Sequence, residues 1–267
     1  ELMGSRLRVL ATVLSTTLTI GCSPRTRIPI VEQTQMAMGT FFTVALYGKV
    51  QPDSAERAIA AAFDTIRTVE MWASASSPRS EVRVLNLHAG RDTVDVSAPL
   101  DRLLHLAQKV AEASDGAFDV TVGPLTSLWG FEDSPTAPPD SAAIRRALRL
   151  VDYRDLWLGR RRAFLRKPGM QLDLGAIAKG WAVDRAFALL RQRGYSDVMV
   201  DGGGDLRVSS TSLTAGKRRV WIRHPRRPGD YIGRFPYDSG AVATSGDYER
   251  YFLYQGVRFH HLSLIHI

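Results

Sequence analysis

Apolar residues recur along this chain at two spacings. Between Ile30 and Tyr47, "IVEQTQMAMGTFFTVALY", they alternate with polar ones among strong β-formers, which predicts one or two strands. From Ser54 to Trp72 the period becomes helical. Ile59, Phe63, Ile66 and Val69 share one face, and Asp53 or Ser54 stands where a cap belongs. The polar stretch from Ala73 to Asn86 reads as a loop leading into a short element. A second helix, Pro99 to Ala113, carries Leu100, Leu103, Leu104, Ala107 and Val110 as its stripe and stops at Asp115-Gly116. A third runs from Asp140 to Leu150, short and basic on its exposed face, after the rigid turn "PTAPPD".

The stretch from Leu172 to Leu206, "LDLGAIAKGWAVDRAFALLRQRGYSDVMVDGGGDL", reads as a strand ending at Leu174, a helix closed by Gly194, and a buried strand that runs into three glycines. Short strands follow at Val220 to Arg223, Tyr231 to Phe235, Ala241 to Ser245 and Tyr251 to Phe259. The pattern is α/β of the mixed α+β kind, with helices grouped early and a βαβ-like unit later. No internal repeat is visible.

Several stretches bear groups that can do chemistry. Gly175-Ala176 opens the helix, and its backbone amides with the positive dipole end suit a phosphate. Lys179, in the first turn, adds a cation. Asp173 at the strand end suits a metal ion or a ribose hydroxyl. Gly202, Gly203 and Gly204 either let a ligand approach the backbone or form a tight turn. They follow the second strand of the unit, whereas a dinucleotide fingerprint puts its glycines after the first, which argues against a nicotinamide site. In "GAFDVTVGPLTSLWGF", strand spacing puts Asp119 and Thr121 on one face and Phe118 and Val120 on the other. Leu125, Leu128, Trp129 and Phe131 then form an apolar knot. This segment is either a ligand-facing strand with an aromatic wall or a core strand. "MGT" (Met38 to Thr40) and "VATSGDYERYF" (Val242 to Phe252) are each weak alone. Ser245 has no His/Asp framework for a hydrolase. Neither HExxH nor a paired-Cys pattern occurs.

Composition sharpens the picture in two places. With 267 residues and 45% hydrophobic content, the chain can build one large domain or two modest ones. Its net charge of +8 comes from arginine-rich clusters such as Arg160 to Arg162, Lys217 to Arg219 and Arg226-Arg227. A basic surface suits an anionic ligand or membrane, and equally a protein that uses arginine for solubility. No stacking motif or zinc spacing points to nucleic acid. The single cysteine, Cys22, ends "MGSRLRVLATVLSTTLTIGC", a positive n-region followed by an apolar h-region. Residues 1–22 therefore read as a bacterial lipoprotein signal with Cys22 as the lipidated first residue, or as a simple signal peptide. Residues 23–33 read as a tether. One cysteine leaves no intrachain disulfide.

Taken in order, these stretches resemble the ApbE family, the FAD:protein FMN transferases of bacterial envelopes. The resemblance is carried by Met38-Gly39-Thr40, Ser80-Glu81-Val82 with Leu85-Asn86, "GAFDVTVGPLTSLWGF", "LDLGAIAKGWAVD" with "DGGGDL", and "ATSGDYERYF" leading into "RFHH". It covers residues 34–261. It implies a two-lobed fold with FAD between the lobes, and Mg²⁺-dependent transfer of FMN from FAD to a Thr or Ser of a target protein with release of AMP. FAD pyrophosphatase activity and flavin binding without catalysis stay open as rivals. By the resemblance, Met38, Ser76, Ala117, Phe118, Asp119, Asp173, Lys179 and Leu262 line the FAD site. Asp173, Lys179 and Asp247 serve catalysis, and Ala176 offers its carbonyl to the metal. The implied partners are membrane redox subunits or other periplasmic flavin carriers, with no nucleic acid. The implied location is the periplasmic face of the inner membrane, anchored through Cys22. Family members continue after "HH" with a segment resembling "IIDPRTG" and later metal ligands, whereas this chain reads "HHLSLIHI". Residues 262–267 are therefore expected to be a tail outside the family, with a closing C-terminal part missing.

Overall fold

A computed structural model describes residues 31–48, 51–131, 133, 135–211 and 219–262. The leader, Cys22 and residues 263–267 lie outside the described residues. Strands β1 (Val31–Ala37) and β2 (Thr40–Leu46) form an antiparallel hairpin. Val31, Glu32 and Gln33, expected in a tether, pair instead with Leu46, Ala45 and Val44. Helix α1 (Pro52–Ala73) starts two residues earlier than its apolar stripe suggests. Pro52, with its fixed φ and no N–H to lose, begins the helix, and neither Asp53 nor Ser54 caps it. Helix α2 (Glu81–Leu87) is capped by Ser80, whose hydroxyl accepts from Arg83 N–H at 2.9 Å. The two-residue β3 (Val94–Asp95) precedes α3 (Ala98–Ala113). On α3, Val110 is exposed and Ala111 takes the buried place, because the stripe follows the drift of a 3.6-residue turn.

Then come α4 (Gly123–Trp129), α5 (Ser141–Leu148), β4 (Leu156–Gly159), β5 (Arg162–Leu165) and α6 (Gly175–Gln192). The remaining strands are β6 (Val198–Gly202), β7 (Leu206–Ser209), β8 (Arg219–Arg223), β9 (Tyr231–Pro236), β10 (Gly240–Val242), β11 (Tyr251–Tyr254) and β12 (Val257–His260). The stretch expected to be one strand from Tyr251 to Phe259 is a hairpin, β11–β12, turning at Gln255-Gly256. The strand expected to reach Ser245 stops at Val242.

The main sheet has the order β1-β2-β6-β7-β10, and every neighbouring pair is antiparallel. The βαβ-like reading is thereby corrected. β6 lies between β2 and β7, and the segment leading directly into α6 is not a strand. Leu172 to Leu174 is extended chain that follows a parallel bridge between Gln171 and Val122 and is held mainly by the Asn86 side chain and by Val120. Helices α1 and α6 pack on this sheet and on each other. Their contact is lined by small residues, with Ala55, Ala58 and Ala62 on α1 and Ala178, Ala182 and Ala186 on α6 all buried, which lets the backbones approach closely. The short sheet β3-β5-β4 packs with α2 and α3 as a second layer. Leu156, Leu165 and Leu172 join Phe42, Phe63 and Val200 in one continuous core.

Candidate functional site

The site is assembled at one end of the main sheet, where its central strands turn. β1 and β2 are joined by Met38 (φ +50°) and Gly39 (φ +72°), a two-residue turn with both φ positive. A methionine rarely adopts this conformation. Here its amide donates to Glu70 Oε1 at 2.8 Å, which ties the turn to the last turns of α1. The pairing of Phe42 with Gly202 brings Thr40 beside the glycine triplet. A Cβ on Gly203 would collide with the Thr40 hydroxyl, so the two turns touch backbone to side chain.

The triplet is a turn with a built interior. Gly203 and Gly204 have φ of +68° and +102°. Asp201 Oδ1 accepts from Gly204 N–H at 2.9 Å, and the Asp205 carbonyl accepts from Gly202 N–H at 2.9 Å. Lys179 Nζ reaches the Asp205 carboxylate at 3.7 Å. Burial pushes the Asp205 carboxyl up from its ordinary range, with a contribution from Asp201, while Lys179 pulls it back. Lys179 lies in the second turn of α6, one turn later than expected, because the helix begins at Gly175.

Asp173 stands just outside the start of α6, and its Oδ1 accepts from Gly175 N–H at 2.8 Å. Its backbone is fixed from both sides. Asn86 grips Leu172 through Nδ2 to the carbonyl (3.1 Å) and Oδ1 from the amide (2.7 Å), and Asp173 N–H donates to Val120 at 2.8 Å. Ala176 is exposed at the second helical position. Its carbonyl is the natural acceptor for the amide of Gly180, which has open space beside it.

The segment from Gly116 to Thr121 is not a strand, which overturns the alternating reading of its faces. Asp115 and Gly116 take positive φ and close α3, Ala117 is exposed, and Phe118 is half-buried with its amide donating to Ser114 Oγ at 3.0 Å. Asp119 and Thr121 do stay together, but through a local bond. Asp119 Oδ1 accepts from Thr121 N–H and Oγ–H, both at 2.7 Å, and Oδ2 accepts from Tyr153 N–H at 2.8 Å. Burial raises the Asp119 carboxyl above its usual range despite those donors. Its carboxylate thus holds the loop before α4 to the segment after α5. The apolar knot exists, and its partner comes from far along the chain. Trp129 stacks on Phe131 at 5.6 Å and meets Phe252 and Phe259 of the β11–β12 hairpin at 6.4 and 5.9 Å.

The turn after β10 completes this end of the molecule. Thr244 sits against Gly204, 3.5 Å from where a Cβ there would lie, and Arg250 Nη2 is 3.6 Å from the corresponding point on Gly39. Both carboxylate oxygens of Asp247 accept from Arg226. Ser76 and Leu262 are exposed. Ser76 bonds within its own loop, to Ser74 Oγ at 3.2 Å, and Leu262 follows the end of β12. The structure thus gathers Met38, Lys179, Thr244 and the glycine turn, with Asp173 fixed at the start of α6. Glu70, Arg226 and Arg250 were missed from the sequence. Each acts on a residue remote along the chain, and spacing carries no signal for that.

Residues 38–263 match the model of the ApbE family. The chain belongs to the ApbE family. It is 33% identical over 257 residues to the FAD:protein FMN transferase of Treponema pallidum, covering 90% of this chain and 71% of that one. It is 34% identical over 203 residues to that of Klebsiella pneumoniae, covering 75% and 62%. The crystal structure of an ApbE protein from Thermotoga maritima superposes with a TM-score of 0.81 at 32% identity, over 88% of this chain and 76% of that one. The flavinyl transferase ApbE of Pseudomonas stutzeri, in its apo form, gives 0.76 at 25% identity, over 88% and 74%. The mixed α/β architecture is therefore that of ApbE flavin transferases, and the Treponema, Klebsiella and Pseudomonas relatives are transferases by name.

Proposed function

We propose that this ApbE member transfers FMN from FAD to a Thr or Ser hydroxyl of a protein and releases AMP. The observation that carries the reading is the joint one: membership of a family with relatives named FAD:protein FMN transferase, and a helix start, a lysine and a glycine turn gathered at one sheet end. In this reaction the oxygen of the acceptor hydroxyl bonds to the phosphorus of the FMN half, and its proton passes to solvent. The bridging P–O bond breaks, and AMP leaves with the electron pair. Negative charge builds on the leaving phosphate, and pre-positioned donors lower that barrier. Lys179 and the start of α6 are suited to hold the pyrophosphate, the glycine turn packed against Thr40 and Thr244 sets Asp205 beside Lys179, and Asp173 fixes the first turn. FAD would lie across this end of the main sheet, with its pyrophosphate toward the start of α6 and Lys179.

Mg²⁺ belongs to the proposal through family membership; a bound ion would neutralise charge on the phosphates. Among the described residues, no group of three or more His, Cys, Asp or Glu is arranged to hold a metal. Among the described residues, the Ala176 carbonyl at the exposed start of α6 is the group that could face such an ion. We further propose that Cys22 anchors the protein by lipid to the periplasmic face of the inner membrane, near acceptors such as membrane redox subunits. Cys22→Ser should release it from sedimented membranes, and persistence there would refute the anchor.

The deciding experiment incubates the protein lacking its leader with FAD, Mg²⁺ and a Thr-containing acceptor domain, followed by denaturing electrophoresis. A fluorescent acceptor band is the expected result. AMP and free FMN formed at equal rates with and without acceptor, with a dark band, would replace the transferase reading by a pyrophosphatase.

A further inference from the structure

Asp247 is expected to serve catalysis, yet both its oxygens are occupied. Arg226 Nη1 donates to Oδ1 at 2.9 Å and Nη2 to Oδ2 at 2.6 Å, a two-pronged contact that fixes direction as well as distance. The pair holds the Asp247 carboxyl below the usual carboxylate range, Arg226 being the main cause, and a carboxylate so engaged is a poor proton acceptor.

The arginine is itself held. His224 Nδ1 accepts from Arg226 N–H at 3.0 Å and from Arg227 N–H at 3.1 Å, folding the turn between β8 and β9. A second arginine acts beside it: Arg223 Nη2 donates to Glu249 at 2.8 Å and lies 5.8 Å above the Tyr248 ring. The β8–β9 ribbon is paired with no third strand among the described residues, and these two arginines join it to the segment from Thr244 to Arg250. That segment packs onto the glycine turn through Thr244 and Gly204, and the glycine turn carries Asp205 and Lys179. Gly246 is buried in the segment, with no room for a Cβ against Tyr248. A physical chain thus runs from Arg226 through Asp247 and Thr244 to the turn that sets Asp205 beside Lys179.

We infer that Arg226 is a positioning residue of this enzyme, clamping the Thr244–Arg250 segment over the glycine turn through Asp247. The inference rests on the transferase reading above. The side chains of Arg226 and Asp247 are 49% and 31% exposed, and ion pairs this exposed add little to global stability. Loss of the clamp should therefore disturb the site without unfolding the protein.

The test compares wild type, Arg226→Gln and Arg226→Lys in two measurements. The first is deuterium uptake over residues 244–250 together with the thermal midpoint. The second is AMP release from FAD, resolved into kcat and FAD KM. Arg226→Gln should speed uptake in that segment at an unchanged midpoint. It should lower kcat at least tenfold with KM for FAD within threefold, and Arg226→Lys, which keeps the charge but loses the fork, should fall between. Unchanged uptake in Arg226→Gln overturns the clamp. Faster uptake with unchanged kcat overturns the positioning role. If wild type releases no AMP from FAD, with or without acceptor, the transferase reading fails and the positioning role fails with it, while uptake still decides whether the clamp exists.

Discussion

Replacing Asp119 by alanine is the most direct probe of how the segment before α4 is held. Asp119 is 8% exposed, and its carboxylate accepts from two backbone amides and one hydroxyl. In Asp119→Ala the Thr121 hydroxyl can rotate, since it also accepts from Asp152 N–H at 2.9 Å, but the amides of Thr121 and Tyr153 lose their acceptor. A buried donor left unpaired costs about 1–3 kcal/mol, so two cost about 2–6 kcal/mol. Removing the carboxylate also relieves its own desolvation, the largest cause of its raised pKa, which brings the expected loss to about 2–4 kcal/mol. Asp119→Asn keeps an acceptor for Thr121 and turns its NH₂ toward the Tyr153 amide, so about 1–3 kcal/mol is expected for one unpaired donor. Urea unfolding followed by tryptophan fluorescence reads both values, the chain having five Trp. A loss below about 0.5 kcal/mol for the alanine variant would show that water or a shifted backbone satisfies these amides, and the scaffolding account would be wrong.

Four further outcomes follow from the site. Asn86→Ala frees the Leu172 amide and carbonyl, and should lower stability by about 1–3 kcal/mol and reduce FAD turnover, because Asp173 is the next residue; unchanged turnover would detach Asp173 from the site. Gly203→Ala puts a Cβ against Thr40 at positive φ and should cost about 1–3 kcal/mol by thermal or urea unfolding, with Thr40→Ser in the same chain giving no full rescue, since the backbone strain remains. Asp173→Ala removes the acceptor of Gly175 N–H and should slow AMP release at least tenfold; equal rates would exclude it from the machinery. Asp205 has a folded pKa raised above its ordinary 3.8, so its contribution to stability is full below 3.8 and is lost as pH rises through the folded value. The stability of Asp205→Asn relative to wild type should therefore increase from pH 4 to pH 7 in urea titrations, and a difference independent of pH would contradict the raised pKa.

Local periodicity settled much of this protein. The stripe of α1, the stripe of α3 apart from Val110, and the buried strand ending in Gly202 all follow from interactions within a few residues, which spacing encodes. The ordered motifs were enough to place the chain in its family. Where apolar runs are short, periodicity cannot tell a strand from a helix or a loop. Phe118 to Val122 alternates like a strand but has its polar demand met by Thr121 and Tyr153, and Leu172 to Leu174 looks like a buried strand although Asn86, a side chain, takes its backbone bonds.

The antiparallel placing of β6 between β2 and β7 depends on which strand edges meet in the packed fold, a choice absent from any local window. The same holds for the site. Asp173, Lys179 and the glycines could be named from the chain alone, because their residue types announce their chemistry. The tie of Met38 to Glu70, the contact of Lys179 with Asp205 and the hold of Arg226 on Asp247 needed the tertiary structure. Each joins residues 21 to 32 positions apart or belongs to a different layer, and at such separations only the folded packing decides which charges meet.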